Sequence, residues 1–118
     1  MCWRETADAA RAVAAAMPLL QKAKRVVFAS VAGNDGIAPD AIADIARQFS
    51  WRGVPVETRL IAPDGRVPQE LLSALASEVK ADLVVMGAYG HSRMREVLFG
   101  GFTQSFIQHA DRPVLMMH

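Results

Sequence analysis

The chain has little that could cross-link it, ligate a metal or hold it in a membrane. Cys2 is the only cysteine among 118 residues. One thiol closes no intrachain disulfide and supplies no cysteine-based zinc site, which fits a reducing cytoplasm. The longest apolar stretch, Ala12 to Leu20, falls far short of the roughly 20 residues that a membrane span needs. It also lacks the basic flank and cleavage pattern of a signal peptide. Thirteen Lys and Arg against twelve Asp and Glu leave a formal charge of +1, too small a field to argue for nucleic acid or an anionic membrane. No Gly-x-x-x-x-Gly-Lys-Ser/Thr stretch occurs, nor the three-glycine dinucleotide fingerprint after a first strand. No carboxylate pair, Ser–His–Asp set or Cys–His pair suggests catalysis, and His109 and His118 have no carboxylates at ligand spacing. These absences predict a soluble cytoplasmic protein that is not an enzyme and binds no metal, nucleic acid or membrane.

What remains is rich in apolar residues. The hydrophobic fraction is 52% and the charged fraction 21%, with a mean hydropathy of +0.16, enough to bury the core of one domain spanning 1–118. Apolar runs at Val26–Val31, Val54–Ile61, Leu83–Gly87 and Val114–Met117 read as strands buried on both faces of a parallel sheet. Helical periods lie between them. Ala10, Val13, Met17 and Leu20 form one stripe, and Ile42, Ile45, Ala46 and Phe49 a second. Leu71, Leu72, Leu75 and Val79 form a third, and Thr103, Phe106, Ile107 and Ala110 a fourth. Pro39-Asp40 opens the second helix, Gly53 closes it, and Pro63-Asp64-Gly65 turns the chain before the third. Pro18 should kink or weaken the first helix. The alternation predicts an α/β fold.

The first helix should start near Thr6, a good N-cap, with Asp8 in its first turn. Only Met1-Cys2-Trp3 precedes that region, too little for a full strand. The expectation is therefore a truncated first strand, and a chain that is a fragment or one half of a tandem protein.

The stretch with chemical content runs from Leu83 to Thr103. A buried strand meets Gly87 and Gly90, and after nine more residues Gly100-Gly101 opens the last helix. Glycine lets backbone approach a phosphate, and a helix start offers unpaired N–H groups and positive dipole. Arg93 and Arg95 could neutralise phosphate charge, the Ser92 and Thr103 hydroxyls could donate, and His91 lies in the same loop. The same pattern also serves as a tight turn with close packing. Trp3 is a candidate for stacking on a base, whereas Trp51 and Met86, Met116 and Met117 read as packing residues. Cys2 reads as a half-buried strand residue.

The spacing Gly87-x2-Gly90-x9-Gly100, with Arg112-Pro113-Val114-Leu115-Met116 at the end, resembles the universal stress protein family. The Pro18-Leu19-Leu20 run is similar to the first helix of its tandem members. This resemblance implies an open parallel five-stranded sheet in the order 3-2-1-4-5, helices on both faces, and ATP with Mg2+ between strands one and four. Such a topological switch point is where open α/β sheets bind ligands. It implies a nucleotide site of Gly87, Gly90, His91, Ser92, Arg93, Gly100, Gly101, Phe102, Thr103, Trp3, Arg4 and Val31. It also implies a stress-response role and a homodimer through the last strand, or pairing with another stress-protein half. Two positions depart from the family. Gly101 stands where a Ser or Thr is usual, and Arg4 stands where ATP-binding members carry an Asp against the adenosine. An arginine accepts no hydrogen bonds, so weak, phosphate-dominated binding is expected. The alternative is a dimerisation or scaffold domain that binds no nucleotide.

Overall fold

The computed structural model describes residue 2 and residues 7–32, 39–87 and 101–117. Helices and strands alternate: α1 (Ala7–Leu20), β1 (Val26–Val31), α2 (Pro39–Trp51), β2 (Val56–Ile61), α3 (Pro68–Glu78), β3 (Val84–Gly87), α4 (Gly101–Gln108) and β4 (Val114–Met117). β1 and β2 pair in parallel from Val26↔Val56 to Val31↔Ile61, and β3 and β4 from Val84↔Val114 to Gly87↔Met117. Between the two ladders stands Cys2, which forms parallel bridges to Ala29 of β1 and Met86 of β3. Its N–H donates to the Val85 carbonyl at 2.8 Å.

Period-two alternation divides the core. Val26 and Phe28 of β1 and Val85 of β3 turn to one side, where they meet Ala12, Val13, Ala16 and Leu20 of α1 and Ile42 and Phe49 of α2. Ala29, Val84 and Met86 turn to the other, against Leu72 of α3 and Phe106 of α4. Helices therefore cover both faces. The first layer is knit by an edge-to-face contact between Phe28 and Phe49, with ring centroids 5.1 Å apart.

Tertiary context corrects several expectations. β2 begins at Val56, not Val54, and β3 at Val84, not Leu83. Nor is β2 a buried strand, because Thr58, Arg59 and Leu60 are exposed. Among the described residues β2 pairs with β1 alone, so one of its edges faces outward. On α1 the buried stripe is Ala9, Ala12, Val13, Ala16 and Leu20, whereas Ala10 is exposed. Pro18 does not stop that helix, which continues to Leu20, with Gln21 N–H donating to Met17 O at 3.0 Å. The proline costs one hydrogen bond to the carbonyl four residues back, at Ala14, and both residues are exposed. On α4, Ile107 is exposed and Ala110 lies beyond the helix. Trp51, expected to pack, is 85% exposed at the end of α2.

Helices α2 and α3 end in the same way. After α2, Val54 N–H donates to Phe49 O and Gly53 N–H to Ser50 O, with Gly53 at φ +78. After α3, Ala81 N–H donates to Ala76 O and Lys80 N–H to Ser77 O, with Lys80 at φ +54. Both are Schellman closures, in which a left-handed residue lets the next amides satisfy the last helical carbonyls. The first buries Val54 against Phe49, which explains why Val54 reads as apolar yet precedes the strand.

Candidate functional site

Parallel strands leave all their C-terminal ends on one side of the molecule, and the helices that carry the chain back begin there. Because β3 and β4 are parallel and paired from Val84↔Val114 to Gly87↔Met117, α4 must carry the chain back. Its first residues therefore lie at the Gly87 end. The first turn of α1 lies there too. A Cβ on Gly87 would sit 2.8 Å from Ala9 N and 2.9 Å from the Asp8 carbonyl carbon, closer than side-chain carbons come to backbone. Gly87 is thus bare because the start of α1 occupies the space where its side chain would be. The start of α1 brings its positive dipole end to the end of β3, and α4 begins on the same side of the sheet. Asp8 places a carboxylate in the first turn of α1 and accepts from Arg11 Nη1 at 3.0 Å.

Of the residues expected to form the site, Gly87 ends β3, Val31 ends β1 and Gly101-Phe102-Thr103 open α4. Thr103 is only 3% exposed, so its hydroxyl belongs to the buried side of the first turn of α4. Ser30, one residue before the end of β1, is the other buried polar side chain among the described residues. Trp3, Arg4, Gly90, His91, Ser92, Arg93, Arg95 and Gly100 lie outside the described residues.

Cys2 occupies the position between β1 and β3 that leads toward this end. Burial pushes its thiol pKa up, against a smaller lowering by the N-terminal charge. A thiol held in its neutral form is a poor nucleophile, and the two backbone bridges make Cys2 a half-buried strand residue. Met86 beside it is a core residue, while Met116 is half-buried and Met117 exposed.

Sequence reasoning gave no sign of two further features. A groove of about 340 Å³ runs between α3 and α4, lined among others by Val67, Glu70, Ser73, Ser105 and His109. None of its lining residues comes from β1 or β3, so it is separate from the strand ends. His109 Nδ1 lies 2.9 Å from Ser105 O, a contact in which the ring N–H donates to the carbonyl. The second feature is Arg112. Its Nη1 donates to Ala76 O at 2.7 Å and Ala81 O at 3.1 Å, and its Nη2 to Ser77 Oγ at 3.0 Å. The guanidinium therefore ties the start of β4 to the end of α3, where a cation also complements the helix dipole. It holds the carboxyl of neighbouring Asp111 below the ordinary aspartate range. Among the described residues no group of three or more His, Cys, Asp and Glu could hold a metal ion, and no helix is long and apolar enough to cross a membrane.

Comparison with known proteins agrees with this architecture. A curated relative, Universal stress protein MJ0577 of Methanocaldococcus jannaschii, is 29% identical over 51 residues, covering 43% of this chain and 32% of its own. The match thus spans about a third of that relative's length. The solved structure of MJ0577 superposes with a TM-score of 0.81 at 19% identity, over 98% of this chain and 91% of that one. A universal stress protein crystallised in complex with cAMP gives a TM-score of 0.69 at 24% identity, over 100% and 94% of the two chains. At these identities the superpositions speak for the fold alone. The sequence model of the Universal stress protein family matches residues 4–118, and the chain belongs to that family.

Proposed function

We propose that the protein is a nucleotide-responsive stress module that binds an adenine nucleotide at the C-terminal ends of β1 and β3, without rapid turnover. The observation that carries this reading is the intimate seating of the α1 N-terminus on Gly87, at the end to which α4 also returns. Two positive helix ends beside a glycine strand end suit a phosphate chain. The relative crystallised with cAMP supports an adenine nucleotide as the ligand class. In this reading Gly87, Gly90, Gly100 and Gly101 give backbone access, while Ser92, Arg93 and His91 attend the phosphates and the buried Thr103 supports the start of α4 from beneath. Trp3, Arg4, Phe102 and Val31 border the base and ribose. ATP with Mg2+ is the expected form, and Arg4 and Gly101 make its binding weak and tolerant of GTP.

The same proposal takes Cys2 as part of a central strand, which makes the sheet five-stranded in the order 3-2-1-4-5. It places the protein in the cytoplasm as a homodimer paired through β4, whose partly exposed Val114–Met117 presents an apolar edge.

Thermal denaturation with titrated MgATP tests the ligand. A ligand at a hundred times its Kd stabilises by about 2.7 kcal/mol, which for a domain of this size raises Tm by roughly ten degrees or more. Gly90→Val, which sets a β-branched side chain where phosphate must approach, should abolish the shift. No shift for the wild type at millimolar MgATP would hand the lead to the scaffold reading, which Arg4 and Gly101 favour.

A further inference from the structure

The outer edge of β2 has the composition and register of a self-pairing strand. Val26 N–H donates to Pro55 O at 3.0 Å and Ala32 N–H to Ile61 O at 2.8 Å, one at each end of the ladder. Backbone groups alternate in direction along a strand. The odd residues 55, 57, 59 and 61 therefore face β1. Val56, Thr58 and Leu60 present their N–H and C=O groups outward. Pro55, which has no N–H to give, falls on the inward set and leaves the outer row complete.

We propose that this edge pairs antiparallel with the same edge of a second copy, about a two-fold axis through Thr58. In that register Thr58 faces Thr58 of the copy, and Val56 and Leu60 face each other's counterparts. The three outward N–H groups of each chain meet the three outward carbonyls of the other, and no outward group between Val56 and Leu60 is left over. A shift of the axis to Glu57 or Arg59 strands part of the row.

Side chains agree with the same axis. Glu57 and Arg59 flank Thr58 on one face, and the two-fold sets Glu57 of one chain opposite Arg59 of the other. Charged residues on an edge usually protect it against pairing, and that protection needs like charges to meet. Here the pairing brings opposite charges together at the close, non-hydrogen-bonded positions, which is favourable. Glu57 is fixed by Arg25, whose Nε and Nη2 donate to its two carboxylate oxygens at 3.1 and 2.6 Å, and it also accepts from Arg59 of its own chain at a longer 3.4 Å, a contact that pairing complements with the Arg59 of the copy. On the other face Leu60 is 40% exposed near the end of β2, and the exposed Trp51 precedes its start. Antiparallel pairing brings the start of one strand to the end of the other, so each Leu60 gains the Trp51 region of the partner as cover. The contact is isologous. It lies on the opposite side of the molecule from β4 and does not depend on nucleotide.

One edge strand buries less than a large obligate interface, so association should be reversible and concentration-dependent. Sedimentation velocity across a concentration series, without nucleotide, compared between wild type and a Thr58 variant, reads the part of the association that β2 carries, apart from any pairing through β4. Thr58→Pro removes the central outward N–H and leaves the β1 ladder untouched, since that N–H does not face β1. It should weaken association at least tenfold with unchanged circular dichroism. Thr58→Cys gives an independent reading. Paired residues of this kind lie about 5.5 Å apart between Cα atoms, within disulfide range. Diamide should convert that variant to a disulfide-linked dimer, whereas the wild type, with only Cys2, should stay uncross-linked. Should Thr58→Pro fail to fold, the cross-link alone decides. Unaltered association in Thr58→Pro, or a Thr58→Cys protein that remains uncross-linked under diamide, overturns the proposal. Either result leaves the nucleotide reading intact.

Discussion

The C-termini of α2 and α3 close with the same hydrogen bonds and opposite kinds of residue. At α2 the left-handed position is Gly53, which adopts φ +78 at no steric cost. At α3 it is Lys80, at φ +54, where a side chain is disfavoured by roughly 1–2 kcal/mol. The α2 closure is local, sealed by Val54 on Phe49. The α3 closure draws on Arg112, more than thirty residues further along the chain. A strained turn is thus retained where a distant side chain grips the carbonyls around it. One backbone motif can therefore be specified by its own residues or imposed from outside.

Removing the outside support should give the largest effect. Arg112→Ala deletes five hydrogen bonds from a charged group, two of them to carbonyls, one to Ser77 and two to Asp111, and such bonds exceed neutral ones. A fall in Tm of roughly ten degrees is expected, together with faster amide exchange at Lys80 and Ala81 by NMR. A loss no greater than that of Gly53→Ala would mean that the α3 turn stands unaided.

Gly53→Ala should come next. A Cβ there meets nothing within 4 Å, so the cost is purely conformational, about 1–2 kcal/mol in chemical denaturation. A neutral result would show that the turn tolerates strain without an Arg112 equivalent, and the contrast would collapse.

Lys80→Gly should stabilise. Relief of the left-handed strain outweighs the added chain entropy of glycine by about 0.5–1 kcal/mol, read as a higher denaturation midpoint with unchanged slope. In an Arg112→Ala background the gain should be at least as large, because the strained turn has lost its clamp.

The smallest effect concerns acid. Arg112 lowers the pKa of Asp111, so that carboxylate contributes stability above its unfolded pKa and loses it as pH falls through the lower folded value. The pair is exposed on the Asp111 side and its effect is correspondingly slight. Thermal melts between pH 5 and 2 should show a slightly shallower acid decline for Arg112→Ala than for the wild type. An identical slope would remove Asp111 from the clamp.

Much of the fold could be read from the residues because its signals are local. The apolar runs at β1 and β4, Pro39 at the start of α2, Gly53 at its end and the Asp64–Gly65 turn each fix backbone through their own chemistry. The glycine spacing from Gly87 to Gly100 was likewise sufficient to point to the family. The α1 stripe was misplaced by one position, on Ala10 rather than Ala9, because alanines at nearly every position give no contrast. β2 read as buried since Val54, Val56 and Leu60 are apolar, yet strand order, which no local pattern encodes, leaves it with an open edge. Trp51 was expected to pack, yet its place at the last residue of α2 leaves it 85% exposed.

By itself, then, the sequence determined the alternation of elements and the family. These follow from periodicity, turn chemistry and the spacing of Gly87, Gly90 and Gly100. Only the tertiary structure decided that the start of α1 fills the space beside Gly87. It alone decided that Arg112 closes α3, and that Val56, Thr58 and Leu60 turn their backbone outward. Each of these depends on which segments, distant along the chain, become neighbours in space, and pairing of that kind is fixed by the packed core and not by any one stretch of residues.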